Sequence, residues 1–317
     1  MTTMKRYKNI ALGAVLATIL TLLYSLDVSA QQYIGHTQSM WNQMAINPAY
    51  AGSEKSLDAG LFVRNQWMNL EGAPRTENLF VHSPIAHGDF GVGLNVMRDR
   101  LGISSTVGAQ ASFAYRLRFD QGTLAFGLSG EFANHRMNWT ETDAFQEGDQ
   151  AIPFGDIAQA EYNFGFGTFF RNEHFYVGLS VPRLLESETL FTDPEAGLEA
   201  TYGHKRHFYL NAGGIWRAGE SLYIQPVMMA RYVEGAPFQT DLGVLFYVNN
   251  MLWVGPSFRW GDSFSIMIDY EITEQLRVGY AYDFTISQIQ GHLGSHEFFL
   301  GYTLGQKSDG YNHPRFF

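Results

Sequence analysis

From Ser56 onward, apolar and polar residues alternate with a period of two, the period of a β-strand. Val107, Ala109, Ala111, Phe113, Tyr115, Leu117 and Phe119 share one face of such a run, against Gly108, Gln110, Ser112, Ala114, Arg116 and Arg118. The next run sets Leu124, Phe126, Leu128 and Phe132 against Ala125, Gly127, Ser129 and Glu131. Later ones set Leu242, Val244, Phe246 and Val248 against Asp241, Gly243 and Tyr247, and Val278, Tyr280, Tyr282 and Phe284 against Arg277, Gly279, Ala281 and Asp283.

The pattern predicts about fourteen strands, an even number as expected of a bacterial outer-membrane barrel. They centre near residues 62, 79, 94, 112, 128, 165, 178, 211, 226, 243, 255, 267, 280 and 300. Each runs to roughly 9–15 residues, where a membrane-crossing strand needs about 9–11 and a globular strand averages about 5–6. One face carries large apolar and aromatic side chains, which suits lipid. The other carries Gly, Ser, Gln and charges (Arg116, Arg118, Glu131, Arg217, Arg231, Asp241, Arg259, Asp269, Glu271, Arg277), which suits a barrel interior. The fold class is therefore all-β: a transmembrane antiparallel up-and-down β-barrel over residues 56–305. A soluble sandwich or propeller would leave the aromatic face in water. The even-numbered connections read as tight turns at Asp120-Gln121-Gly122, Arg171-Asn172-Glu173, Ala218-Gly219, Asn249-Asn250 and Thr273-Glu274. The odd ones are long around 137–159, 183–206 and 287–295, and short only at Gly261-Asp262.

The N-terminus reads as an export signal over residues 1–30. Lys5, Arg6 and Lys8 precede an apolar run from Ile10 to Leu26, and Val28-Ser29-Ala30 supplies small residues for cleavage before Gln31. The alternative is an uncleaved anchor. Removing Lys5, Arg6, Lys8 and Asp27 takes the net charge from −10 to −12.

Composition then narrows the function classes. Aromatics reach 15% and charged residues only 16%, against about 25% in an average soluble domain. The acidic balance argues against nucleic-acid binding, and the absence of cysteine excludes a disulfide scaffold or a thiolate metal site. No Gly-x-Ser-x-Gly elbow, His-Glu-x-x-His or phosphate-binding loop occurs. His82, His87, His292 and His296 lack metal-ligand spacing, and His204-Lys205-Arg206-His207 reads as a solvated basic cluster. Glu141, Asp143, Glu147 and Asp149 lack the spacing of a calcium loop. No enzyme, metal or cofactor is expected.

Residues 31–55 form a segment ahead of the first strand, read as a plug in the lumen or the periplasmic mouth. It contains Gln38-Ser39-Met40-Trp41-Asn42-Gln43-Met44-Ala45-Ile46 and then Asn47-Pro48-Ala49-Tyr50-Ala51-Gly52. Trp41, Met44 and Ile46 suggest a weak amphipathic stripe on one helical turn that Asn-Pro ends. Ala49, Ala51 and Gly52 would let the chain pass close to a wall. Arg64, with Asp58 and Gln66 on the inward face of the first strand, is expected to form an interior ion-pair network.

The Asn47-to-Gly52 core resembles the N-terminal signature of the PorP/SprF family, outer-membrane proteins of type IX secretion in Bacteroidetes. So do Arg64-Asn65-Gln66-Trp67, Gly72-Ala73-Pro74-Arg75-Thr76, His82-Ser83-Pro84, Gly91-Val92-Gly93 and Asp99-Arg100-Leu101-Gly102. Gly294-Ser295-His296-Glu297 and the terminal Pro314-Arg315-Phe316-Phe317 also match. The resemblance implies an accessory barrel for the export and attachment of secreted surface proteins or gliding adhesins bearing a C-terminal sorting domain. It also implies partners in the periplasmic secretion ring. An outer-membrane transporter or channel for small or hydrophobic solutes is the alternative. The tail, residues 306–317, is expected to be periplasmic, with Phe316 and Phe317 docking into the barrel mouth or onto a periplasmic partner, since two exposed phenylalanines otherwise form an unexplained apolar patch.

Overall fold

The computed structural model describes residues 35–54, 56–138, 156–193, 198–287, 289 and 291–304. The export signal, the loop acids Glu141, Asp143, Glu147 and Asp149, and the tail with Phe316 and Phe317 lie outside the described residues.

The chain forms β1 (Asp58–Asn65), β2 (Arg75–Ile85), β3 (Phe90–Leu101), β4 (Ser104–Phe119), β5 (Gly122–Met137), β6 (Ile157–Arg171) and β7 (Phe175–Val181). After them come β8 (Ser187–Asp193), β9 (Leu198–His204), β10 (His207–Gly214), β11 (Trp216–Arg217), β12 (Leu222–Val233) and β13 (Gln239–Val248). The last four are β14 (Leu252–Arg259), β15 (Ser263–Glu271), β16 (Leu276–Thr285) and β17 (Ser295–Thr303). β8 and β9 pair only with each other, as a hairpin outside the main sheet, and β11 continues β10 along β12. The other strands are fourteen antiparallel staves, one at each expected centre. β1 pairs with β17 from Asp58↔Thr303 to Asn65↔His296, and β10 pairs with both β7 and β12. The sheet is thus closed and no stave is left as an edge, as backbone groups in hydrocarbon require.

The alternation sorts side chains between the two faces. In β15, Ser263, Ser265, Met267, Asp269 and Glu271 are buried while Phe264, Ile266, Ile268 and Tyr270 are exposed. Leu128, Phe164 and Leu179 are each more than half exposed on the outer surface. In water such a belt would drive aggregation; in lipid it is the expected outer face. One end of the barrel has only short connections, at 86–89, 120–121, 172–174, 218–221, 249–251 and 272–275. The other end carries 66–74, 138–156, 182–206 and 286–294. On that long-loop side the turn at 102–103 is short as well as the one at 260–262, so a second connection departs from the long-loop pattern.

The interior differs from the polar lining that the alternation suggested. Arg231, Arg259, Asp269, Glu271 and Arg277 are buried there, but so are Phe62, Phe80, Phe169, Tyr176, Tyr247, Trp253 and Phe299. They pack with Met40, Trp41, Met44, Ala49 and Tyr50 into one core cluster. The barrel is filled, with a hydrophobic core inside it. Two residues assigned to the interior lie elsewhere: Arg118 and Arg217 are exposed at the short-turn rim.

Candidate functional site in the barrel lumen

Residues 35–54 fill the lumen. The segment is three single-turn 3-10 helices, Ser39–Trp41, Gln43–Ala45 and Pro48–Tyr50, rather than one helical turn. Asparagine starts two of them: the Asn42 side chain accepts from Ala45 N (3.3 Å) and that of Asn47 from Ala49 N (3.0 Å). Such caps satisfy N–H groups that a short helix leaves free. Pro48 then occupies the first position of the third turn, where its missing N–H costs nothing. The Asn-Pro pair therefore begins a turn as well as ending the previous one. Met44, Asn47, Ala49 and Ala51 are completely buried.

The walls receive this segment in two ways. Along β3, β5, β6 and β7 the contact is steric. A Cβ added at Gly91 would strike Ala51, at Gly127 Pro48 and Ala49, and at Gly167 Asn47, all well inside contact distance. Only hydrogen fits there, so the wall glycines form a seat for the Asn47 side chain and the Pro48-to-Ala51 backbone. Polar contacts finish the seat. Asn47 Nδ2 donates to Thr168 O (3.0 Å), Ser180 Oγ to Ile46 O (2.7 Å) and Arg116 to Ala51 O. Gly52, at φ +62°, turns the chain away and donates its N–H to His82 Nδ1 (3.2 Å). Asn42 Nδ2 bridges Asn78 Oδ1 (2.7 Å) and Asn95 Oδ1 (3.0 Å) on β2 and β3.

Across the lumen, on β1, β16 and β17, the contact is ionic. Arg64 donates to Asp283 Oδ2 (2.6 Å), to Glu297 Oε2 (3.3 Å) and to Thr37 Oγ1 (2.7 Å). Thr37 Oγ1 donates in turn to Asp283 Oδ1 (2.8 Å). Glu297 accepts the backbone N–H of Thr37 (3.0 Å) and of Gln38 (2.8 Å), with His36 Nδ1 at 3.3 Å. Charges this deeply buried are held only when paired and hydrogen-bonded, and these are. Nearby, the Arg277 guanidinium lies 3.6 Å over the Trp41 ring, which meets Trp253 edge-on at 5.2 Å.

The expected network of Asp58, Arg64 and Gln66 is not brought together. Asp58 lies at the opposite end of β1, where it accepts from Thr303 Oγ1 (2.5 Å) and faces His82 Nε2 at 3.7 Å. Gln66 lies past the strand end and joins Pro74 O through its backbone N–H (2.9 Å). The partners of Arg64 come instead from the last two strands and the plug. Glu297 stood in the Gly294-to-Glu297 stretch, but alternation alone gave no signal that it faced Arg64.

Below the seat, Tyr50 OH meets Glu54 Oε1 at 3.3 Å. Burial, with the neighbouring Asp58 charge, pushes the Glu54 carboxyl up to about 8 against the opposing pull of Arg171 and Arg277. Near the long loops, Thr106 Oγ1, His135 and Glu161 form a line, 2.9 Å to Nδ1 and 3.1 Å from Nε2, with Ser187 Oγ donating to Glu161 (2.9 Å). This line pins β4, β5 and β6 to the base of the β8–β9 hairpin. His207, read from sequence as part of a solvated cluster, is buried at the start of β10.

A closed fourteen-stave barrel with an apolar outer belt and a lumen packed by its own N-terminal segment defines an integral outer-membrane protein whose interior is a core. The chain belongs to the PorP/SprF family of type IX secretion system membrane proteins, whose family model matches residues 28–302. No curated protein matches it. Among solved structures it is similar to a Pseudomonas aeruginosa FadL homologue (11% identity, TM-score 0.48, covering 88% of this chain and 96% of that one). It is also similar to the Acinetobacter baumannii outer membrane protein Omp33 (12%, 0.46, 80% and 100%) and to the KdgM porin (9%, 0.40, 78% and 99%). By the rule for outer-membrane barrels, the short-turn end is periplasmic and the long-loop end extracellular.

Proposed function

We propose that the protein is a docking barrel of type IX secretion. It holds a secreted surface protein, such as an adhesin with a C-terminal sorting domain, at its extracellular loops, and contacts the periplasmic secretion ring through its short-turn face and tail. The observation that carries this reading is the filled lumen in a chain of this family. With residues 35–54 tied to both walls, fourteen strands leave no route for a folded cargo, so the barrel has surfaces to offer rather than a pore. Phe316 and Phe317 are the proposed periplasmic contact.

Planar-bilayer recording tests the sealed lumen: no steady conductance is expected, and a stable porin-sized current would overturn it. Truncation after Gln306 tests the tail. Normal barrel levels in the outer membrane with loss of surface-protein display would support docking through Phe316 and Phe317. Disappearance of the barrel itself would make the tail an assembly element and refute the contact.

A further inference from the structure

The outer face of the barrel is charged on β2 and β3 near the long-loop end. Arg75, Glu77, Arg98 and Arg100 point outward there, because the alternate positions Thr76, Asn78, Asn95 and Asp99 pair with one another on the lumen side. The register sets Arg75 directly opposite Arg100, and Glu77 opposite Arg98. Like charges facing each other across a ladder repel, and the Cα atoms of such a pair are only about 5 Å apart. Arg75 is relieved by Glu77 (2.8 Å), but the guanidinium groups of Arg98 and Arg100 have no carboxylate partner among the described residues. Three arginines thus share one acid, on a chain whose net charge is −10. The row continues through Ser105 on β4 to Arg136 on β5, a further exposed cation.

Height decides what these side chains face. Arg75 and Arg100 stand ten positions from the short-turn ends of their strands, at Ile85 and Phe90. At the rise and tilt of a barrel strand that is about 25 Å, the full depth of an outer-membrane apolar band. Leu79 and Leu94 lie below them on the same face, and Val107 stands beside Arg98 across the β3–β4 ladder, all three exposed. Arg98 sits one outward row lower, and its long stem can lift the guanidinium along that apolar surface to the same level. On the opposite side of the barrel, the exposed residues at or beside the long-loop ends of β12, β14 and β16 are Tyr232, Trp260 and Phe284. The cations are therefore gathered in one sector, where the acyl chains of the outer leaflet give way to headgroups.

We propose that Arg75, Arg98 and Arg100 form a binding site for a phosphate group on a lipid of the outer leaflet, whose acyl chains lie along Leu79, Leu94 and Val107. Guanidinium groups hold phosphate oxygens with paired, charge-assisted hydrogen bonds. One phosphate between Arg75 and Arg100 removes the repulsion that the register imposes. A lipid is favoured over an acidic protein segment because these side chains leave the wall sideways, in line with the apolar belt, and not over the mouth. The site is separate from the docking role and does not depend on it.

Native mass spectrometry of the full-length barrel in detergent, with lipid A added either diphosphorylated or stripped of its phosphates, tests the site. The unaltered barrel is expected to bind the phosphorylated form roughly tenfold more tightly. Arg98→Gln with Arg100→Gln should abolish that preference, whereas Arg118→Gln with Arg217→Gln, two arginines removed from the short-turn rim, should leave it intact. Equal binding of the two lipids by the unaltered barrel would overturn the proposal without recourse to any variant. So would a preference that survives Arg98→Gln with Arg100→Gln, or displacement of the lipid by millimolar inorganic phosphate, which would make this a site for free anions. Loss of surface-protein display in that double variant with the lipid preference unchanged would make the patch a protein contact instead.

Discussion

The plug is held by two unlike walls. On β3 and β5 the plug backbone, and on β6 and β7 the Asn47 side chain, lie against glycines with no room for a methyl group, and the plug's caps and carbonyls are bonded locally. On β1, β16 and β17 it is held at a distance by Arg64, Asp283 and Glu297, whose side chains reach across to Thr37 and Gln38. A steric seat fixes position and tolerates no substitution. A charged tether fixes orientation, and its strength depends on every partner remaining in place. The Asn47-to-Gly52 motif belongs to the first wall and Gly294-to-Glu297 to the second, so the two ends of the chain specify different halves of one assembly.

The comparison breaks first at the seat. Gly127→Leu drives a side chain into Pro48 and Ala49, beyond the roughly 1–3 kcal/mol of ordinary overpacking because backbone stands on both sides. The expected result is a barrel whose residues 35–54 become open to protease, or no heat-modifiable band at all. An intact, protease-resistant plug would show that the seat is not steric.

The tether comes next. Arg64→Met strands two buried carboxylates and is expected to cost about 3–5 kcal/mol, read as lost heat resistance in detergent. Combined with Glu297→Gln, the loss should be smaller than the sum of the single effects, since the two residues share one network. Combined with Asp58→Asn it should be additive within about 0.5 kcal/mol, because the two residues stand roughly 20 Å apart on β1. Measured coupling between Arg64 and Asp58 would contradict the separation seen here.

The smallest effect concerns Glu54, whose buried carboxyl the Arg171 and Arg277 charges only partly offset. Its raised carboxyl favours the protonated form in the folded state. The stability it contributes is fully present below about pH 4.5 and is lost as pH rises through about 8. Glu54→Gln should flatten that decline, so that the unfolding midpoint falls less between pH 5 and pH 9 than it does in the unaltered barrel. An unchanged pH profile would show that the carboxyl is not held in this way.

The barrel was legible in the sequence because the lipid-versus-lumen choice is local: Phe113 and Ser112 declare their faces from their neighbours alone. The site was not, because its pairings are remote. Arg64 meets residues 219 and 233 positions away in the chain, and nothing in β1 names them. The aromatic core was hidden for a different reason. Leu252, Trp253 and Val254 are all apolar, so the inward face of β14 cannot be told from the outward one by hydropathy, and nothing local marks Trp253 as the largest fully buried side chain among the described residues. The three short turns were obscured because 3-10 helices carry too few residues to show a period.

The Glu297 tether joins the plug to β17, and this has a temporal consequence. Thr37 and Arg64 leave the ribosome long before Glu297 does, so the N-terminal segment cannot be locked until the final strand arrives beside β1. Joining the first and last staves and fastening the interior are one event. A chain that stalls before β17 carries Arg64 without one of its two acids and Thr37 and Gln38 without their acceptor, and so remains distinguishable from a finished barrel until the circle closes.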